Sequence, residues 1–270
     1  MSGPAGQRPG PQFTALVLAG QRACGEPVAE AAGLSHKCLV PVAGVPMLVR
    51  VIAALEASDA VGRIAVSIED PNLLETVTEL SSLRESGRLL AVKSANTPSL
   101  SALAAAETLD RAVPLLITTA DHPLLTGAMV DDFLNSALDA GADVAAGLTP
   151  GAALLAAYPG AKRTFLKFKD GPYTGSNLFA ILTIDGLKAL RFWRRVEQDR
   201  KRPWRIAKAF GFRSLLAYLS GRLTLDAAMV RASKIIGAQT RAVLTPLAEA
   251  GIDVDKPEDL VLVEEILRSR

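Results

Sequence analysis

The chain has 270 residues, 49% of them hydrophobic and 21% charged, with a formal net charge of +2. That balance excludes a disordered chain, allows one large α/β domain or two small ones, and makes no overall case for nucleic-acid binding. Cys24 and Cys38 form no CxxC and no matching His pair stands near them, which argues against a zinc site and a secreted disulfide framework and for a reducing cytoplasm.

Residues 1–12 are rich in Gly, Pro and Gln, lack the apolar run of a signal peptide, and read as a flexible tail. Phe13 to Ala19 is a short apolar run ending at Gly20, the pattern of a buried strand. A polar loop follows to about Pro41, then helical spacing from Met47 to Glu56 and a strand from Arg63 to Ile68. The pattern continues with a helix over 73–83, a short strand over 89–92 and an Ala-rich helix over 99–109. A fourth strand, Val113 to Thr119, stops at Ala120-Asp121-His122-Pro123. Thr126 caps a helix to Ala140, and Asp143 to Gly147 is a fifth strand. Beyond it, strands over 164–168 and 177–182 flank a turn at Asp170-Gly171-Pro172. Residues 184–236 read as a helical, basic insert, Arg241 to Leu244 as a strand, and Asp255 as the cap of a last helix. No stretch of about 18 apolar residues offers a membrane span. Strands alternating with helices imply a mostly parallel sheet, which binds ligands at the carboxyl ends of its strands. Residues 13–270 are therefore expected to form one domain.

Three constellations sit where chemistry is expected. The loop Leu18-Ala19-Gly20-Gln21-Arg22 follows the first strand, with Lys37 downstream. A Gly there lets backbone N–H groups approach phosphate oxygens, and Arg22 and Lys37 can neutralise them; a tight turn with two solvated cations is the plain alternative. Asp121 places a carboxylate directly after the fourth strand, and Mg²⁺ prefers few carboxylates together with phosphate oxygens. Asp253 and Asp255 alternate onto one side of an extended segment. With Asp255 as the helix cap, Asp253 is left as the freer second metal carboxylate.

These residues resemble the MobA-like NTP transferases. The resemblance rests on Leu18-Ala19-Gly20 with Lys37 and Gly44-Val45-Pro46-Met47, on Ala120-Asp121-His122-Pro123, and on Asp253-Val254-Asp255-Lys256-Pro257-Glu258-Asp259-Leu260, in that order along the chain. It implies a Rossmann-like three-layer sandwich with a mostly parallel central sheet, the GT-A nucleotidyltransferase type. It also implies transfer of an NMP unit from an NTP to a phosphorylated acceptor. Arg22, Lys37 and Asp121 would be catalytic, and Mg²⁺ would be held by Asp121 with Asp253 or Asp255. Leu18, Ala19, Gly20 and Gln21 would meet the nucleotide, and Thr97, Ser99 and Ser101 sit where relatives read base and ribose. Thr174, Gly175 and Asn177 resemble a segment lining the acceptor pocket of sugar-nucleotide enzymes. The chain departs from the pattern at Gln21, which replaces the second loop Gly, in the long gap to Lys37, and at Tyr173, which replaces an Asn.

An acceptor phosphate is already ionised, so no general base is required, and His36 and His122 read more simply as spacers or hydrogen-bonding groups. Cys24 and Cys38 read as small buried hydrophobes, with a redox-sensitive site as the alternative. Residues 188–222 carry eleven Lys or Arg against Glu197 and Asp199, interleaved with Phe192, Trp193, Trp204, Phe210, Phe212 and Tyr218. Two readings of this insert compete. It is either a helical cover whose aromatics pack on the sheet, or a surface for anionic membrane or a lipid-linked acceptor; no motif supports nucleic acid. Two other functions stay open: a GT-A-type glycosyltransferase using a nucleotide sugar, and an NTP-binding regulator without activity. The expected location is cytoplasmic, with a peripheral membrane contact as the second reading of the insert.

Overall fold

A computed structural model of the protein describes residues 12–21, 25–109, 113–199 and 211–270. Arg22, Cys24, Trp204, Phe210 and residues 1–11 of the expected tail lie outside the described residues.

The first strand, β1 (Phe13–Leu18), is followed by α1 (Pro27–Ala31), a small hairpin of β2 (Pro41–Val42) and β3 (Val45–Pro46), and α2 (Met47–Glu56). Next come β4 (Val61–Ile68), α3 (Ser81–Glu85), β5 (Leu89–Lys93), α4 (Pro98–Thr108), β6 (Leu115–Thr119), α5 (Gly127–Asp139), β7 (Val144–Pro150) and α6 (Gly151–Ala157). The remainder is β8 (Leu166–Phe168), β9 (Gly171–Ile181), α7 (Lys188–Gln198), α8 (Phe212–Leu219), α9 (Leu225–Ile236), β10 (Thr240–Leu244) and α10 (Pro257–Arg268).

Eight strands form one sheet in the order β10-β7-β9-β6-β1-β4-β5, with β8 paired to β9. β1 lies parallel between β4 and β6, and among the described strands of this sheet only β9 runs against the others, antiparallel to β6, β7 and β8. β1 is apolar along both faces because both are covered. Ala15 and Val17 point into a core with α2 and α5, whereas Leu16 packs with Ala102, Ala105 and Leu190 of α4 and α7. Helices on both faces give the expected three layers. The chain runs β1, β4, β5 to one side and then returns to β6 on the other, so the crevice for ligands opens at the carboxyl ends of β1 and β6.

Several local expectations change. The region read as a loop from Gly20 to Pro41 contains α1 and a 3₁₀ turn at Lys37–Leu39. The helix expected over 73–83 is instead two 3₁₀ turns, Pro71–Glu75 and Thr78–Leu80, before α3. Thr76, Val77 and Thr78 are β-branched and interrupt helical stacking there. Thr126 caps α5, as expected, accepting from Met129 N at 3.3 Å. Among the described residues the helical insert contains α7, α8 and α9. Trp193 of α7 stacks on Phe179 at 6.3 Å, and Tyr218 of α8 meets Phe168 edge-on at 5.7 Å, so these two aromatics pack on the sheet and its hairpin. Lys188, Arg191, Arg194, Arg195, Arg213 and Arg222 are exposed. No helix among the described residues is long and apolar enough to cross a membrane.

Candidate active site

At the end of β1, Ala19 N donates to Ser67 O at 2.9 Å and Leu18 O accepts from Ala120 N at 3.0 Å. These bonds continue the ladder of β1 past its last strand residue and hold the turn at Gly20. A side chain at Gly20 would meet Glu69 Oε1 at 3.2 Å and Ser94 at 3.5 Å, so the crevice wall is close. Gln21 N donates to Glu69 Oε1, and the Gln21 side-chain amide donates to Ser35 O. The residue that replaces a Gly thus ties this loop to the segment carrying Lys37.

Lys37 opens a 3₁₀ turn anchored by buried Cys38. Its Nζ donates to Asp121 Oδ2 at 2.6 Å and to Asp255 Oδ1 at 3.3 Å. Burial lowers the Lys37 pKa, but the attraction of Asp121, Asp255 and Glu26 outweighs it, so the ammonium is held above its usual range. The Asp121 backbone carbonyl accepts from Val254 N at 2.9 Å. That bond docks the 252–255 segment against the end of β6 and brings the C-terminal carboxylates to Asp121.

His122 is wholly buried and its Nε2 contacts Glu249 O at 3.3 Å. Burial pushes its pKa down to about 4. It is therefore a neutral spacer that anchors the Ala248–Gly251 turn. His36 sits beside Ser35 and within 4.0 Å of Glu69.

Asp255 does not cap the last helix. The Asp259 carboxylate accepts from Asp255 N at 3.0 Å and Lys256 N at 2.9 Å, which leaves the Asp255 side chain facing Lys37. Asp253, read as the freer carboxylate, is the more engaged one. Arg163 donates to its Oδ1 and to its backbone carbonyl, and Asn177 Nδ2 donates to its Oδ2 at 2.8 Å. Burial, Asp121 and Asp255 push the Asp253 pKa up, while Arg163 and Asn177 oppose them. Asn177 has φ +51 and lies where the β7–β9 register shifts. Asn tolerates that left-handed conformation, and the shift turns its side chain toward Asp253. Thr174 is buried against Gly251, and Gly175 is exposed opposite Leu148.

Thr97 caps α4 by accepting from Leu100 N at 3.4 Å. Ser101 Oγ accepts from Ala95 N at 2.9 Å, holding the loop beside Ser94 and hence beside Gly20. Ser99 is fully buried and donates to Glu197 of α7. The structure thus brings Lys37, Asp121, Asp253, Asp255 and Asn177 into one cluster. Thr97, Ser99 and Ser101 stand apart from it, at the start of α4. Asp259, present in the closing motif, also joins the site, and Arg163 and Glu69 join it without any local signal in the sequence. Arg163 meets its partner 90 residues away, and only charge complementarity to the acidic 253–259 segment hints at it.

The residues suit a divalent cation in three respects. Asp121 Oδ1 is buried without a partner. The nearby oxygens are carboxylates, the hard donors that Mg²⁺ takes. Four carboxyl groups, those of Asp121, Asp253, Asp255 and Asp259, gather around Lys37 and Arg163. Among the described residues no three His, Cys, Asp or Glu form a ready-made metal cage.

Comparisons with known proteins agree with this fold. A hypothetical transferase from Thermus thermophilus is 33% identical, with a TM-score of 0.75 over 92% of this chain and 99% of that chain. A 4-diphosphocytidyl-2C-methyl-D-erythritol synthase from Anaerococcus prevotii shares the fold at 11% identity and a TM-score of 0.56, over 95% and 99% of the two chains. A CMP:2-keto-3-deoxy-manno-octonic acid synthetase solved with CTP does so at 14% and 0.58, over 96% and 99%. No curated protein sequence matches. The family model of the MobA-like NTP transferase domain matches residues 15–198. With the end of β1, the Lys37 turn and Asp121 inside that match, the chain belongs to the MobA-like NTP transferase family and is a nucleotidyltransferase.

Proposed function

We propose that the enzyme transfers an NMP unit from a Mg²⁺-bound NTP to a phosphorylated small-molecule acceptor and releases pyrophosphate. The observation that carries this reading is the Lys37 ammonium lying between Asp121 and Asp255 at the mouth of the β1–β6 crevice, beside an unpartnered Asp121 oxygen. An acceptor phosphate oxygen attacks the α-phosphorus. The bond to that oxygen forms as the bond from the α-phosphorus to the β-phosphate's bridging oxygen breaks, and pyrophosphate leaves with the electron pair. Such catalysis is mainly positioning and charge stabilisation.

Mg²⁺, when bound, would be held by Asp121 with Asp253 or Asp255 and would neutralise phosphate oxygens. Lys37 would leave Asp121 for the phosphate charge, together with Arg22. Leu18, Ala19, Gly20 and Gln21 would carry the nucleotide, with Thr97, Ser99 and Ser101 shaping the base side of the crevice. Thr174, Gly175 and Asn177 would flank the acceptor. His122, neutral and buried, takes no proton in this scheme.

Thermal-shift titration with ATP, CTP, GTP and UTP, each with and without Mg²⁺, tests the reading. Stabilisation by one NTP that needs Mg²⁺ supports it, because a ligand that binds only the folded state raises apparent stability. A shift with none of the four rules it out.

A peripheral contact with anionic lipid, and with it a lipid-linked acceptor, is a second reading. It is supported by the exposed stripe Phe212, Leu216 and Leu219 on α8, flanked by exposed Arg213 and Arg222. Flotation with anionic vesicles should show salt-sensitive binding that neutral vesicles lack, and its absence removes this reading.

A further inference from the structure

We infer that Arg163 and Asn177 form a clamp whose task is to position Asp253 as a metal carboxylate. This rests on the nucleotidyl-transfer reading proposed above. Arg163 is 8% exposed, and its two terminal nitrogens grip Asp253 at both the carboxylate and the backbone carbonyl. The same guanidinium stands 3.6 Å from Asp259 Oδ1, and Asp259 in turn caps the helix that follows the site. Asn177 closes the clamp from β9 on the other carboxylate oxygen. A carboxylate has about four lone-pair sites, so one bond at each oxygen leaves room for a cation. Hydrogen bonds behind a ligating group fix its direction.

The clamp is built on rigid elements. Ala161 packs in one apolar cluster with Leu154, Ile252, Val254 and Val263, and Phe165 lies against it. The loop that carries Arg163 and the segment that carries Asp253 are therefore seated on the same core. Asn177 is held by the register shift in β9, where a side chain at Gly147 would meet Ser176 and Leu178 at 3.3 Å. Both arms consequently approach Asp253 from fixed positions, and the planar fork of Arg163 supplies a two-point grip that a lysine cannot.

The test is the Mg²⁺ concentration that gives half of the NTP-dependent thermal shift, measured at saturating NTP for the wild type, R163M, R163K and N177G. Glycine accepts the φ of Asn177, so N177G removes the amide without straining the backbone. Both R163M and N177G should raise the Mg²⁺ midpoint about 10-fold or more, and R163K should fall between R163M and the wild type. A packing role alone would lower the melting temperature and leave the Mg²⁺ midpoint in place. If R163M does not fold, N177G decides. Wild-type midpoints in the folded variants overturn the clamp and leave nucleotidyl transfer standing. A wild type with no Mg²⁺-dependent shift for any of the four NTPs overturns both.

Discussion

The ammonium of Lys37 stands 2.6 Å from Asp121 Oδ2, while Oδ1 of the same carboxylate is buried without a partner. One oxygen of Asp121 is thus bound to a cation of the chain, and on the proposed reading the other would take Mg²⁺. Lys37→Met removes the internal one. Because both side chains are largely buried, the uncompensated carboxylate should cost about 3 kcal/mol, a fall of about 6–12 °C in melting temperature. Calorimetry of the variant checks this. An unchanged melting temperature would mean that water replaces the lysine.

On the proposed reading Asp121→Ala should lower turnover about 10²–10³-fold, since it removes a carboxylate that would hold the charge-stabilising Mg²⁺. Far-UV circular dichroism should stay that of the wild type. Pyrophosphate release measures the loss, and retained turnover would withdraw Asp121 from the metal site.

Acid should weaken the fold through His122. Its pKa is pushed down to about 4 by burial, below the ordinary imidazole value near 6.5. The unfolded chain therefore binds more protons between these values, and stability is lost as pH falls through that window, by about 3 kcal/mol in all. Asp253, with its pKa raised, acts in the opposite direction and loses its contribution as pH rises. Melting temperatures from pH 7 to 4 should fall, and His122→Gln should flatten the slope. An equal slope in the variant would assign the effect to other groups.

The thiol of Cys38 is buried, and its pKa is pushed up to about 12 by burial and by Glu69. It should resist alkylation in the native protein at pH 8 and react only after unfolding. Mass spectrometry of iodoacetamide-treated protein locates the modified cysteine. Rapid native labelling of Cys38 would contradict its placement beside the Lys37 turn.

Gly251→Ala should disturb the site from behind. A side chain there would lie 2.8 Å from Thr174 Cγ2 and 2.9 Å from Leu154 Cδ1, so the turn that leads to Asp253 must shift. Both stability and Mg²⁺ dependence should suffer, by amounts that thermal shift resolves. A silent substitution would show that the 252–255 segment absorbs the displacement.

The sequence announced what local pattern can encode. Phe13 to Leu18 reads as a buried strand because its faces alternate into two cores. Asp121 stands out because a carboxylate follows such a strand directly. The cap of the last helix was less legible. Asp255 and Asp259 both offer an acidic group near Pro257, and only the backbone direction shows that Asp259 reaches back. Arg163 carries no local signal, since its meaning lies in a partner 90 residues away. Asn177 was legible as a site residue, but the register shift that turns it toward Asp253 is a property of paired strands rather than of one.

The bond from Val254 N to the Asp121 carbonyl joins the last strand-like segment to the end of β6, and it has a consequence in time. Every strand of the sheet precedes Asp253 and Asp255 in the chain. During synthesis the crevice can be walled and its Lys37–Asp121 pair formed while two of its three clustered aspartates are still inside the ribosome. Until that segment docks, the crevice holds the Lys37–Asp121 pair without the two later carboxylates.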